Sequence, residues 1–371
     1  MKRTLSLLLC LGMLAGCGTP PEPTAPSLPA DTQPTTQAAT QVPETQPTTQ
    51  PPTTDAPEEV PGPLRHPLTG QLLEQPLLTR PTAVVINNIS AAQPLLGIGG
   101  ADILFEHVVE GGGSVTRMLA VYTDLENAGK LGSIRSARTY LLDLAWNFDA
   151  PLVHCGQSIH ARIFLETWGY PSYNQFVYPK YFYRDPQRLS AGYALEHTML
   201  IDGRDLAKGL AENGFDMTLP QQAYYGMDFS EEATPEGENA HEITLRFYRP
   251  GGKATVLRYD EEQDAYFGTQ KWTGREAPIA DGNTGKDVAF RNVLILKAET
   301  YSDGYHEFAT LHGEGEGYFA CGGSFVPIRW SRPTTSESYT YTLTDGTPLV
   351  FGVGKTYVGV IPTQSPQVLF S

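Results

Sequence analysis

The chain has 371 residues, 40% of them hydrophobic, with 37 Gly, 30 Pro and a formal charge of −15. So acidic a balance excludes an extended basic face for nucleic-acid phosphates, and it excludes electrostatic docking on anionic lipid headgroups. Four cysteines are too few for a fold stapled by disulfides.

The first element is a leader over residues 1–16. Lys2 and Arg3 precede an apolar run from Leu5 to Ala15, and Leu14-Ala15-Gly16 lead into Cys17. A basic start, a short apolar middle and small residues at the cut site make an export signal. The ending in Leu-Ala-Gly-Cys resembles a bacterial lipobox, in which the cysteine is acylated with palmitate-type chains. The alternatives are a plain secretory signal or a membrane span, but the apolar run is shorter than the roughly 20 residues a span requires. Loss of Lys2 and Arg3 with the leader takes the charge from −15 to −17.

Residues 17–62 read as a lipidated cysteine followed by a disordered linker. TQPTTQ occurs at 32–37 and again at 45–50, among Pro, Thr, Ala and Glu. Such composition buries too little apolar surface to offset the entropy of ordering. Its six acids leave −11 for the remainder.

Residues 63–237 alternate strand-like and helix-like patterns and predict an α/β layered domain. Strands are expected at 83–86, 102–109, 115–123, 151–155 and 198–201. Helices are expected behind Ser133 or Ser136 to about Phe148, at 159–167, and from Asp202 to Asn213, stopped by Gly214. Residues 238–371 predict a mostly antiparallel β domain, with ten short Val/Tyr/Phe/Thr-rich runs punctuated by turns such as Asp281-Gly282-Asn283 and Asp345-Gly346. The expected class is α+β overall.

Three stretches carry chemistry. In Gly132-Ser133-Ile134-Arg135-Ser136-Ala137-Arg138, two arginines three apart would share the first turn of a helix, where free N–H groups already favour an anion. Structural pairing with Asp102, Glu106 or Glu110 is the alternative. In Val153-His154-Cys155-Gly156-Gln157-Ser158-Ile159-His160, neighbouring strand residues point to opposite faces, so His154 is poorly placed to activate Cys155. Trp168 to Arg184 holds more aromatics than one loop can bury, which suits recognition of sugars, peptides or another protein. Neither zinc-ligand spacing nor a phosphate-cradling glycine loop is present, so no metal and no cofactor are expected. With Cys10 in the leader and Cys17 acylated, Cys155 and Cys321 remain as independent, mostly buried thiols.

These same stretches resemble the YerB-like bacterial lipoproteins, a family of two paired domains of unknown function. The resemblance rests on His66-Pro67-Leu68-Thr69-Gly70, Arg80-Pro81, Asn87-Asn88, Ala101-Asp102-Ile103, Glu106, Glu110-Gly111-Gly112 and Thr116-Arg117. It continues through Gly132 to Arg138, His154, Ser158, Arg184-Asp185, His197, Arg291-Asn292-Val293, Gly313 to Tyr318 and Trp330. It departs at Cys155, where a small residue is usual, and at Glu196-His197-Thr198, where Pro-His-Asn is expected. It implies an anchored extracytoplasmic protein and supplies no reaction.

The combined expectation is a binding or scaffolding lipoprotein on the outer face of the cell membrane, anchored through Cys17. Ligand contacts are expected at Arg117, Arg135, Arg138, His154, Ser158 and Arg184, with a cell-wall glycan or peptide or an envelope protein as partner. The alternative is an envelope hydrolase or transferase using His154 and His197 with Asp102 or Glu106.

Overall fold

The computed structural model describes residues 63–110, 115–220, 223–247, 252–363 and 368–371. Cys17, the leader, the linker and Gly111 to Gly113 lie outside the described residues. The fold is strand-rich, with few helices.

One large mixed sheet organises it. In chain order its strands are β1 (Thr82–Asn88), β2 (Ile103–Glu110), β3 (Val115–Tyr122), β4 (Leu152–His154), β5 (Ser172–Asn174), β6 (Glu238–Asn239), β7 (Asn292–Ala298), β8 (Gly313–Cys321), β9 (Ser324–Arg332), β10 (Thr340–Leu343) and β11 (Thr356–Pro362). In space they run β6-β9-β8-β7-β11-β2-β3-β1-β4-β5, with β10 on the free side of β9. The late strand β11 is parallel to β7 on one side and to β2 on the other, with Ile103 opposite Thr356 and Glu106 opposite Gly359. Strands from both halves of the sequence therefore share one hydrogen-bonded ladder.

Both faces of the central strands are covered, which is why β1 reads as an unbroken apolar run. Period-two alternation sends Ala83 and Val85 into one core and Val84 and Ile86 into the other. On the first face lie the helix α1 (Thr139–Trp146), through Tyr140, Leu141 and Leu144, and Ala161 of the helix α2 (Ile159–Trp168). The second face is covered by a separate antiparallel sheet that includes Glu242–Arg246, Ala254–Asp260 and Ala265–Trp272, which supplies Ile243, Leu245, Leu257 and Tyr266. Leu206 and Leu210, from the helix Gly203–Glu212, join that core; Asp202 caps this helix by accepting from the Arg204 N–H.

Glu106 of β2 faces the second core and is fully buried. Its carboxylate accepts from Asn88 Nδ2 at 2.8 Å, the Thr116 hydroxyl at 2.7 Å, the Thr255 hydroxyl at 2.8 Å and the Tyr357 hydroxyl at 2.6 Å. The fully buried Lys253 Nζ stands 2.7 Å away and also donates to Thr255 Oγ1. Burial works to raise the Glu106 pKa, but the Lys253 charge and the donated hydrogen bonds outweigh it and hold the carboxyl below its usual range. A second buried pair joins α1 to β9, where Arg332 donates to Asp143 Oδ1 at 2.8 Å and to the Asp143 carbonyl at 3.0 Å.

Most expected elements occur within two residues of their expected ends. One does not. The helix placed behind Ser133 or Ser136 starts only at Thr139, with Arg138 as its N-cap residue at φ −130° and ψ 157°. The preceding residues are extended because their N–H groups are already engaged: Ile134 donates to Met199 O, Arg135 to Val85 O and Ala137 to Gly156 O. Ser136 is no cap, its hydroxyl donating to Cys155 O at 3.0 Å. Arg135 and Arg138 therefore do not share a first helical turn.

Lys253→Met should leave Glu106 buried without its cation and lower unfolding stability by about 3–5 kcal/mol. The double variant Glu106→Gln, Lys253→Met should recover a large part of that loss in urea titrations; equal losses in both would show that the pair is not energetically coupled.

Candidate functional site

The extended segment 133–138 bridges β1 through Ile134 opposite Ile86 and meets the chain after β4 through Ala137 opposite Gln157. It brings arginines together from distant parts of the sequence. Arg117 of β3, 2% exposed, donates from Nη1 to Ser136 O at 2.7 Å. Arg117 and Arg138 both donate to one oxygen, Oε1 of Glu110, Arg117 from 3.4 Å. Two cations thus share one carboxylate.

Arg135 and Arg184 approach the turn Leu195–His197. Arg135 Nη1 donates to Glu196 O at 3.5 Å, and Arg184 Nη1 donates to Leu195 O at 2.5 Å. The acceptors are backbone carbonyls, which carry no formal charge to neutralise them. The Nε atoms of Arg135 and Arg138 and the Tyr140 hydroxyl are buried without an acceptor among the described residues. Burial lowers the Arg117 pKa to about 10, opposed by Tyr140 and Tyr305 and reinforced by Arg135. Burial likewise pushes Tyr140 up, so its hydroxyl stays protonated and able to donate. In a chain with so large an acidic excess, this cluster of under-used cationic donors has the chemistry to receive a carboxylate, sulfate or phosphate.

The remaining sequence candidates are dispersed. His154 is fully buried; its Nδ1 lies 2.7 Å from Gly156 O and its Nε2 lies 2.8 Å from Ser172 Oγ. The carbonyl can only accept, so Nδ1 carries the proton and Nε2 accepts from Ser172, leaving no nitrogen for a ligand. His197 Nδ1 pairs with Asn87 Nδ2 at 2.9 Å, and Asp102 Oδ2 accepts from the Thr123 N–H and hydroxyl. Glu106 belongs to the inter-sheet network. Each of these four potential acid–base groups is therefore engaged by different partners, and no two of them are hydrogen-bonded to each other among the described residues. Ser158 is the N-cap of α2, accepting from the Ala161 N–H at 3.1 Å.

Cys155 and Cys321 are free thiols, and burial raises both pKa values, that of Cys321 to about 11. Neither environment makes a reactive thiolate. The aromatic stretch divides in two. Tyr170 and Tyr173 are core, while Trp168, Phe176 and Val177 stand exposed at 61%, 72% and 62%.

The sequence matches two family models, "Protein of unknown function (DUF3048) N-terminal domain" over residues 68–216 and its C-terminal domain counterpart over 243–358. The chain belongs to the YerB-like family. It is 28% identical over 305 residues to "Putative lipoprotein YerB" of Bacillus subtilis (strain 168), spanning 81% of this chain and 86% of that protein. The crystal structure of the Bacillus subtilis YerB protein superposes with a TM-score of 0.71 at 25% identity, covering 83% of this chain and 99% of the other. The YerB-like likeness thus spans the sheet and the arginine cluster together.

Two buried histidines give the fold a definite acid response. His107 and His154 are both pushed down from 6.5 to about 4, by burial first, with hydrogen bonds to Val360 O and Gly156 O opposing. Between those values the unfolded chain binds protons that the folded one does not. Stability should therefore be full above pH 6.5 and fall on acidification toward pH 4, by up to about 1.4 kcal/mol per pH unit for each ring. Urea midpoints measured across that window, in the parent and in His107→Phe, check this; the variant should show the shallower slope, and a flat parent profile would contradict neutral burial.

Proposed function

We propose that this protein is a lipid-anchored binding protein on the extracytoplasmic side of a bacterial membrane, held through acylated Cys17, and that it receives an anionic group at its arginine cluster. The observation that carries the reading is four guanidinium groups set around the segment 133–138 and the turn 195–197, two of them paired with the carboxylate of Glu110, with two Nε–H groups and a tyrosine hydroxyl buried and without a partner among the described residues. Arg135 and Arg184, half-buried and engaged only by backbone carbonyls, make the outer contacts. Arg117 and Arg138 lie deeper and add positive potential while holding Glu110.

The name carried by the Bacillus subtilis relative and the leader ending in Cys17 support the anchored location. No helix among the described residues is long and apolar enough to cross a membrane. Anionic groups on cell-wall glycan or peptide, or on an envelope protein, are the expected ligands, with the exposed Trp168, Phe176 and Val177 giving apolar contact area.

Two outcomes test this. Cys17→Ser should move the chain from the membrane pellet to the soluble fraction, whereas retention in the pellet refutes acyl anchoring. Titration of the full-length chain with inorganic phosphate and sulfate should show saturable binding that weakens about tenfold or more in Arg135→Ala and in Arg184→Ala, the scale of one lost charge-assisted hydrogen bond. Melting temperatures should stay within about 2 °C of the parent. Unchanged affinity in both variants sinks the anion site.

A further inference from the structure

Beside the arginine cluster, three side chains from two distant segments meet. His160 is the second residue of α2. Asp303 and His306 belong to the turn of a hairpin formed by Thr300–Ser302 and Glu307–Ala309. The hairpin is held against β2 by a backbone β-bridge between His306 and Glu110, the residue whose carboxylate Arg117 and Arg138 share.

The turn is built by Asp303 itself. Its Oδ1 accepts from the backbone N–H of Tyr305 at 2.9 Å and of His306 at 2.7 Å, and Gly304 supplies a positive φ of 96°. With Oδ1 so used, Oδ2 stands 3.0 Å from His306 Nδ1 and 4.0 Å from His160 Nδ1. One ligand-capable atom from each of the three residues lies within 4.8 Å of the other two. A tetrahedral ion with ligands at about 2.1 Å sets its donors about 3.4 Å apart, between the two spacings given above. His160 Nδ1 is secluded from solvent and has no hydrogen-bond partner among the described residues. Leaving a polar atom so costs on the order of 1–3 kcal/mol, a cost that coordination would remove.

The rings are also held in place. His160 packs edge-on against Phe308 at 5.0 Å and against His306 at 5.6 Å, and His306 packs against Tyr305 at 4.8 Å. Little reorientation would be needed for three donors to converge.

We propose that His160, Asp303 and His306 form a three-ligand site for a divalent transition-metal ion, zinc or a near neighbour, with its fourth position open to water or an anion. Two imidazoles and one carboxylate suit zinc, cobalt or nickel rather than the all-oxygen preferences of calcium and magnesium. Bound there, the ion would join α2 to the hairpin. The inference stands apart from the arginine site, since it uses none of the same side chains.

The test uses the full-length chain in detergent, stripped with a chelator and titrated by calorimetry with zinc chloride, and with cobalt(II) chloride by visible absorption. One ion per chain is expected, with a cobalt spectrum of a four- or five-coordinate N/O site and no heat from calcium or magnesium. His160→Ala, which truncates a partly exposed helix residue, should weaken zinc by at least about 100-fold, and His306→Ala should do the same. Asp303→Asn keeps the Oδ1 acceptor of the turn and should weaken zinc by at least about tenfold. Arg135→Ala should leave zinc affinity unchanged. Absence of zinc binding by the parent chain, or equal affinity in His160→Ala, overturns the proposal and marks any bound metal as an adventitious ion only.

Discussion

Glu106 collects donors from almost every part of the fold that has to stay together. Asn88 comes from β1, Thr116 from β3, Tyr357 from β11, and Thr255 with Lys253 from the overlying sheet. A carboxylate taken out of water loses solvation worth several kcal/mol, regained only when charge and hydrogen bonds are supplied in the right geometry. Here the geometry is right only when the second sheet covers the first and β11 lies beside β2. The network therefore works as a register device: a one-residue slip of β2 would turn Glu106 to the opposite face and strand Lys253 in an apolar core. Arg332 and Asp143 fasten α1 to β9 in the same manner on the other face.

That framework sets the arginine cluster. Arg117 is buried because β3 is central to the sheet, and its guanidinium reaches Ser136 because the segment 133–138 is pinned to β1. Glu110 ends β2 at the point where Arg138 caps α1. The charge imbalance thus follows from strand order, and not from flexible side chains meeting at a surface. An anion received there, as proposed, would meet groups already held in place, so little ordering entropy would oppose it.

Much of this was legible in the sequence, though unevenly. Period-two alternation and turn residues located the longer strands but missed most of those with four residues or fewer, Ser172–Asn174 and Thr300–Ser302 among them, and Asp202 and Gly214 marked the helix between them. The helix before Thr139 was misplaced because Ser133 and Ser136 are good caps locally, while long-range partners on Val85, Gly156 and Met199 hold that backbone extended. The arginines were visible as residues, but their sharing of Glu110 needed the β2–β3 pairing. His154, expected as a ligand contact, has both nitrogens occupied, one by Ser172 of the next strand. Asp303 and His306 carry no local metal-ligand signature, since the third residue of the cluster, His160, lies on α2. The Asp-Gly pair of their turn was the one local signal available.

The central place of β11 has a consequence for how the chain is made. Ile103–Glu110 is synthesised long before Thr356–Pro362, yet each is the other's neighbour in the finished ladder. Until the later segment arrives, β2 presents an open hydrogen-bonding edge in a strongly apolar strand, a template for wrong pairing. Closure of so long a loop is slow compared with local hairpin formation. The main sheet accordingly cannot be complete until the last strands of the chain have been made.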